Sequence, residues 1–398
     1  MSDQSATVKP RNVAKTLLAL VWIYGGRGMG LLWTLVLIHQ LGIDDYGTYG
    51  MSVALNAIVG PSLDNSFTVR AIRESEERFV RERVTRFLVA FVLIAVGLSL
   101  IGEVYIVGFG LTVAGGEIAL NVVKSRSARD GHPERVYRLD TARQCTGIAM
   151  GTAYLYLAPA PTLLGASLAY CTPYAVIIVA AAVTAGRHRP AMPGPPRLMA
   201  ALTGEMLGTA AYLQGDVLLL GALTNSTTVG YYTLTWVAAA AVAAAGQSFG
   251  MTYHEALREG DGALSAGPPL RNTLGIAVIG GTLIFLIGVG LLISPAPTEL
   301  AVAMMIMSGF AALRIVVSVF QVILFTQRRD VLRLTAAIGL VPFKLGLVAA
   351  LSFAGAVGAA ISTTITDGVL LLIFAYGLYW SKSKSKSKSK SEAKTNET

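Results

Sequence analysis

Arg27, Arg314 and Lys344 each stand near the middle of an apolar run about as long as a bilayer is thick. The first of these runs reads LALVWIYGGRGMGLLWTLVLI and spans residues 18–38. A cation at the bilayer centre costs about 2.5–3.5 kcal/mol on insertion scales. Three of them require a polar interior, an anionic ligand or a carboxylate partner. The planar guanidinium donates two parallel hydrogen bonds and matches phosphate geometry. One reading is therefore that Arg27, Arg314 and Lys344 line a cavity and hold the phosphate or pyrophosphate of a head group. The other is that each is neutralised by a carboxylate and ties helices together.

Carboxylates within apolar runs include Asp64, Glu103, Glu205, Asp216 and Asp367. Of these, Asp64, Glu205, Asp216 and Asp367 are the candidates for binding a coupling ion or for partnering the cations. Glu205 and Asp216 are eleven residues, or about three turns, apart and share one helical face. That spacing suits a proton or sodium ion and suits charge pairing equally. Gly25, Gly26, Gly28 and Gly30 surround Arg27, each weakening a helix by about 1 kcal/mol relative to alanine. Gly26 and Gly30 form a small-xxx-small pair fit for close packing; a hinge that carries Arg27 is the alternative. Pro61, beside Asp64 in GPSLDNS, is a second bending point.

These residues need helices to hold them. The chain has 398 residues, 54% of them hydrophobic and only 14% charged, against about 25% charged in an ordinary soluble protein. Twelve apolar runs are expected to span: 13–40, 46–68, 87–109, 111–124, 142–159, 162–185, 198–222, 229–254, 272–294, 299–326, 331–353 and 356–380. Lipid satisfies no backbone polar group, so each must be a helix. All but three of the 32 basic residues fall in or at the edge of the N-terminal segment, the even-numbered connections or the C-terminal tail. The positive-inside rule then places both termini in the cytoplasm. It also accounts for the net charge of +9 without a nucleic-acid partner. The first run is too long for the apolar core of a signal peptide, and no small-residue cleavage site follows, so the first helix is expected to be retained. The second connection, RAIRESEERFVRERVTR, carries Glu74–Arg78, Glu77–Arg81 and Glu82–Arg86 at i,i+4 and reads as a helix lying on the cytoplasmic face.

The domain plan is a cytoplasmic N-terminus (1–12), a six-helix bundle (13–185), a Pro- and Gly-rich linker (186–197), a second six-helix bundle (198–380) and a disordered Lys/Ser tail (381–398). An internal repeat supports it: DDYGTYGMSVA aligns with TTVGYYTLTWVA at an offset of 183 residues, matching Gly47 to Gly230 and Tyr49 to Tyr232. The fold class is thus an all-α polytopic membrane protein with about twelve transmembrane helices in two bundles around a central cavity.

LGIDDYGTYGMSVAL after the first helix, and QGDVLLLG followed by VGYYTLTWVAA after the seventh, resemble the Wzx-type polysaccharide flippases. These belong to the multidrug/oligosaccharidyl-lipid/polysaccharide (MOP) exporter superfamily, together with MurJ-type lipid II flippases and multidrug-and-toxin extruders. The resemblance implies a two-lobed exporter working by alternating access, and a cavity role for an arginine of the first helix, here Arg27. It implies a substrate made of a saccharide on polyprenyl phosphate or pyrophosphate, moved from the cytoplasmic to the outer leaflet of a bacterial inner membrane. It also implies glycan polymerase or glycosyltransferase partners. The alternatives are a cation-coupled multidrug exporter of the same fold, or a non-transporting membrane scaffold of a glycan-assembly complex.

Enzymatic and cofactor readings find no support. There is no GxxxxGK[ST] phosphate loop, the four histidines are scattered, and Cys145 and Cys171 lie in apolar runs without ligand spacing. No connection is long enough to fold as a catalytic domain. The expectation is therefore no enzyme, no cofactor and no metal.

Overall fold

A computed structural model describes residues 28–186, 188–260 and 262–380. Arg27, Gly25, Gly26, the N-terminal segment and the Lys/Ser tail lie outside the described residues. The helices in order are α1 (Gly28–Leu41), α2 (Ile43–Arg73), α3 (Glu76–Leu100), α4 (Tyr105–Arg129), α5 (Pro133–Leu157), α6 (Leu163–Ala185) and α7 (Pro196–Leu223). They continue with α8 (Ser226–Met251), the short α9 (His254–Glu259), α10 (Leu270–Leu292), α11 (Thr298–Thr326), α12 (Asp330–Leu351) and α13 (Gly355–Ala375). No strand occurs among the described residues. Among the described residues eight continuous helical segments are long and apolar enough to cross a membrane, the last containing both α12 and α13. The protein is an all-α polytopic membrane protein.

The chain divides into two compact units, the first ending at Leu207 and the second beginning at Gly208, within α7. Each is built around its fourth long helix. In unit 1 that helix is α4, which buries thirteen side chains or glycines, among them Phe109, Val113, Ile118 and Val122, and packs against α2, α3 and α6. In unit 2 it is α11, packed against α8, α10 and α13. Its Ile315, Val317, Phe320 and Leu324 form the core with Leu370 and Phe374 of α13. A helix packed on three sides must bury most of its circumference, and both are apolar over most of theirs.

Two expectations are corrected. The basic second connection is not a separate surface helix. Arg70 and Arg73 close α2, a turn at Glu74–Ser75 follows, and residues from Glu76 onward open α3. The i,i+4 pattern was real but its pairing was not: Glu82 meets Arg70 and Arg78, Arg86 meets Asp64, and of the three expected pairs only Glu77–Arg81 forms, at 3.9 Å. A buried guanidinium gains more from a buried carboxylate than from a solvated neighbour on its own helix.

The third and fourth spans also move. The turn between them falls at residues 101–104, not at 110, so α4 is a full-length helix and Glu103 is an exposed turn residue. Glycine explains the tight reversal. A Cβ on Gly108 would lie 2.3 Å from the Ile101 backbone, and one on Gly97 would lie 2.6 Å from the backbone nitrogen of Thr112. An unbroken apolar stretch gives no sign of where it folds back.

Between α1 and α2 only Gly42 separates the helices, at φ 91°, a left-handed conformation that glycine accepts without steric cost. α2 runs through Pro61 without interruption. A methyl added at Gly28 would meet nothing within 4 Å, and one at Gly30 only the Gln144 amide at 3.4 Å, so close packing does not require glycine at either. The linker is pinned to α3: Thr85 donates to the Ala191 carbonyl at 2.7 Å, and the Ala191 amide donates to the Arg81 carbonyl at 3.3 Å.

The sequence repeat reappears as equivalent hydrogen bonds. Tyr49 and Tyr232, matched at the offset of 183, each bond back sixteen residues to the first long helix of their half. Tyr49 accepts from the Trp33 indole at 3.0 Å, whereas Tyr232 donates to the Asp216 carboxylate. Gly42 and Asn225 stand at the N-caps of the corresponding second helices.

Candidate functional site

Unit 2 gathers four interior charges on α7, α11, α12 and α13. Asp216 of α7 is fully buried, at 0% exposure, and Lys344 of α12 is 3% exposed. The Lys344 ammonium lies 2.6 Å from Asp216 Oδ2 and donates to the Tyr212 carbonyl at 2.8 Å. The same Asp216 oxygen accepts from Tyr232 of α8, and from Thr363 of α13 at 3.1 Å. Its other oxygen accepts the Val217 amide at 3.0 Å. Both oxygens of this carboxylate thus have donors, and a cation faces one of them, the condition for burying a charge.

A second pair lies beside it. Asp367 of α13 is 2% exposed and accepts from the Tyr212 hydroxyl at 2.5 Å. Arg314 of α11 holds Nη1 at 3.4 Å from both Asp367 oxygens, longer than a good charge-assisted bond, and its side chain keeps 16% exposure. Tyr212 joins the two pairs: hydroxyl to Asp367, carbonyl to Lys344, ring 5.3 Å from the ammonium and 6.0 Å from the guanidinium carbon. Asp216 and Tyr212 are i,i+4 on α7, and Thr363 and Asp367 are i,i+4 on α13, so one face of each helix supplies both sites.

Tyr212→Phe keeps ring and carbonyl and deletes only the hydroxyl. It is expected to lower stability by about 1.5–3 kcal/mol, the range for a hydrogen bond to a charged group, read by thermal unfolding of the full-length chain in detergent. An unchanged melting temperature would mean that the hydroxyl does not hold Asp367.

Of the residues singled out from sequence, Lys344 and Asp216 come together, as do Arg314 and Asp367. Asp64 belongs to unit 1, where Arg86 of α3 clasps it with Nε at 2.6 Å and with Nη2. Asn121 donates to it at 2.7 Å and Thr68 at 3.2 Å. Glu205 lies in the part of α7 grouped with unit 1.

Sequence reasoning passed over Arg86, Arg143 and Glu117. Arg143 Nη2 lies 2.5 Å from Glu117 Oε1 at the middle of α4, and Arg143 also donates to Tyr170 at 2.7 Å. Tyr174 donates to the same carboxylate oxygen at 2.9 Å. The signal was available: Arg143 and Glu117 both fall inside expected spans. The place of Arg143 beside the basic residues Arg135 and Arg138 masks it. Tyr170 also stacks on Trp33 at 5.7 Å, so the unit 1 counterpart of the Asp216 position is aromatic rather than ionic.

Among the described residues no group of three or more His, Cys, Asp or Glu side chains is placed to hold a metal ion. Cys171 is buried and Cys145 half-buried, and neither forms a disulfide.

No family model matches the sequence. No curated protein matches it either. Solved structures do. The chain is similar to the lipid II flippase MurJ in its inward closed conformation, with a TM-score of 0.68 and 9% identity, over 91% of this chain and 87% of that one. It is similar to a multidrug resistance MATE family transporter of the MOP superfamily in its outward-facing conformation, with a TM-score of 0.56 and 14% identity, over 95% of this chain and 96% of that one. The inward-facing conformation of such a transporter gives 0.55 and 14%, over 94% and 95%. The protein therefore has the fold that lipid II flippases and MATE transporters share.

Proposed function

We propose that this chain is a membrane transporter that flips a saccharide carried on polyprenyl phosphate or pyrophosphate from the cytoplasmic to the outer leaflet by alternating access. The observation that carries this reading is the likeness to a lipid II flippase, at a TM-score of 0.68, above the 0.56 of the multidrug transporter over a similar share of the chain. Interior cations support it, since an anionic head group needs them and a cationic drug does not.

In this reading Arg314, loosely held and partly exposed, contacts the phosphate; Arg27, the other arginine expected to bind a head group, lies outside the described residues. Lys344, sealed against Asp216, holds α12 to α7, and its ammonium reaches a head group only if that pair opens. The glycines around Arg27 and Pro61 serve as bending points. Asp64, Asp216 and Asp367 act first as charge partners, and any coupling ion would act by loosening one of these pairs. The protein would sit in a bacterial inner membrane with both termini in the cytoplasm, beside the enzymes that build and polymerise its glycan.

Purification in mild detergent followed by native mass spectrometry tests the reading. A polyprenyl-linked saccharide bound to the wild-type chain is the expected result. Wild-type chain that carries no polyprenyl lipid and binds rhodamine-type cationic dyes instead would overturn it in favour of drug export.

A further inference from the structure

A hollow of about 300 Å³ opens between α8 and α11 at their C-terminal ends, wholly within unit 2. That volume is at the lower end of small-molecule sites, which run about 300–1,000 Å³. It is lined by Gln247 and His254 on one side, Ser318, Gln321 and Phe325 on the other, and Arg333 from the start of α12. None of the interior ion pairs described above reaches it.

We infer that this hollow is a saccharide-binding subsite, taking one or two neutral sugar residues. Its hydrogen-bonding capacity is unspent. The side chains of Gln247, Ser318 and Gln321 make no hydrogen bond within the described residues, and His254 Nδ1 is buried without a partner. Two amides, a hydroxyl and an imidazole offer donors and acceptors in mixed order, the complement of a polyhydroxylated ring. Phe325, half of it exposed, adds an apolar surface for the C–H face of a sugar. An anion is the poorer fit. The one cation on the lining, Arg333, already meets Asp330 at 2.9 Å and lies over the Phe325 ring at 5.2 Å. No carboxylate lines the hollow, so a divalent cation fits no better.

Position links the subsite to the proposed substrate, and this link rests on the flippase reading. Arg314, Ser318, Gln321 and Phe325 follow one another at i, i+4, i+7 and i+11 and share a face of α11. At 1.5 Å per residue, Arg314 and Gln321 are about 10 Å apart along the axis. A phosphate at Arg314 would therefore leave its first sugars at Gln321 and Gln247. The hollow lies at the end that the basic residues assign to the cytoplasm, where a newly made lipid-linked saccharide is loaded.

The test uses the full-length chain in detergent against an immobilised panel of neutral di- and trisaccharides and their phosphate esters. Wild type is expected to retain at least one neutral saccharide. Gln247→Ala with Gln321→Ala should weaken it at least about tenfold without changing the melting temperature, because neither side chain contributes a hydrogen bond to the fold. Asn272→Ala, exposed at the start of α10, should leave it unchanged. The inference is overturned if wild type retains no saccharide, if the double variant retains it as well as wild type, or if only phosphate esters bind, which would make the hollow an anion site. Saccharide binding in a chain that carries no polyprenyl lipid would uphold the subsite and remove the flippase reading alone.

Discussion

Lys344→Met is expected to destabilise the protein by about 3–5 kcal/mol, the cost of removing one partner from a buried ion pair. The physical reason is the environment of Asp216. At 0% exposure it has no water to replace the lost ammonium. The Tyr232, Thr363 and Val217 donors remain but do not neutralise it. The carboxylate must stay charged in a low-dielectric interior or take up a proton. Pairing Lys344→Met with Asp216→Asn removes both charges together, keeps one amide oxygen to accept from Tyr232 and Thr363 while losing the acceptor for the Val217 amide, and is expected to recover part of the loss. The measurement is a double-mutant cycle on thermal unfolding in detergent, with helix content followed by circular dichroism. If the single and double variants melt together, the two side chains are not coupled and the pair is not what holds α12 to α7.

Arg314 is expected to respond in the opposite way, losing function rather than fold. Its bond to Asp367 is long and its side chain partly exposed, while Asp367 keeps the Tyr212 hydroxyl. Arg314→Ala should therefore cost less stability than Lys344→Met. A charge-assisted bond to the substrate is worth about 1.5–3 kcal/mol, so binding of a polyprenyl phosphate to the reconstituted chain should weaken about 10- to 150-fold. Arg314→Lys restores the charge but not the planar fork, and should fall between the two. Equal lipid affinity in wild type and Arg314→Ala, with lowered stability, would show that the arginine only ties α11 to α13.

The contrast between these two cations was not legible in the chain itself. In sequence they look alike: each is a cation at mid-run with no carboxylate within one helical turn. What distinguishes them is the company supplied by other helices. Asp216 reaches Lys344 from 128 positions upstream, and Asp367 reaches Arg314 from 53 positions downstream. Arg143 shows the reverse failure. It sits ten residues inside α5, yet its place at the edge of a basic cluster made it look like a connection residue. Hydropathy averages over a window and so blurs a single interior charge into the polar flank beside it.

The sequence by itself determined that the chain is a bundle of membrane helices, because hydrocarbon leaves the backbone no alternative and apolar length is a local property. It determined most helix ends to within a few residues, from α6 to α13. It carried the repeat as far as Tyr49 and Tyr232. Only the tertiary structure decided which charges meet, that Trp33 and Asp216 hold equivalent places, and where the uninterrupted run between α3 and α4 turns back. Each depends on contacts between segments far apart in the chain. Hydrophobic burial in lipid selects helices without selecting their neighbours, and the choice of neighbours falls to packing at glycine and to the pairing of buried charges.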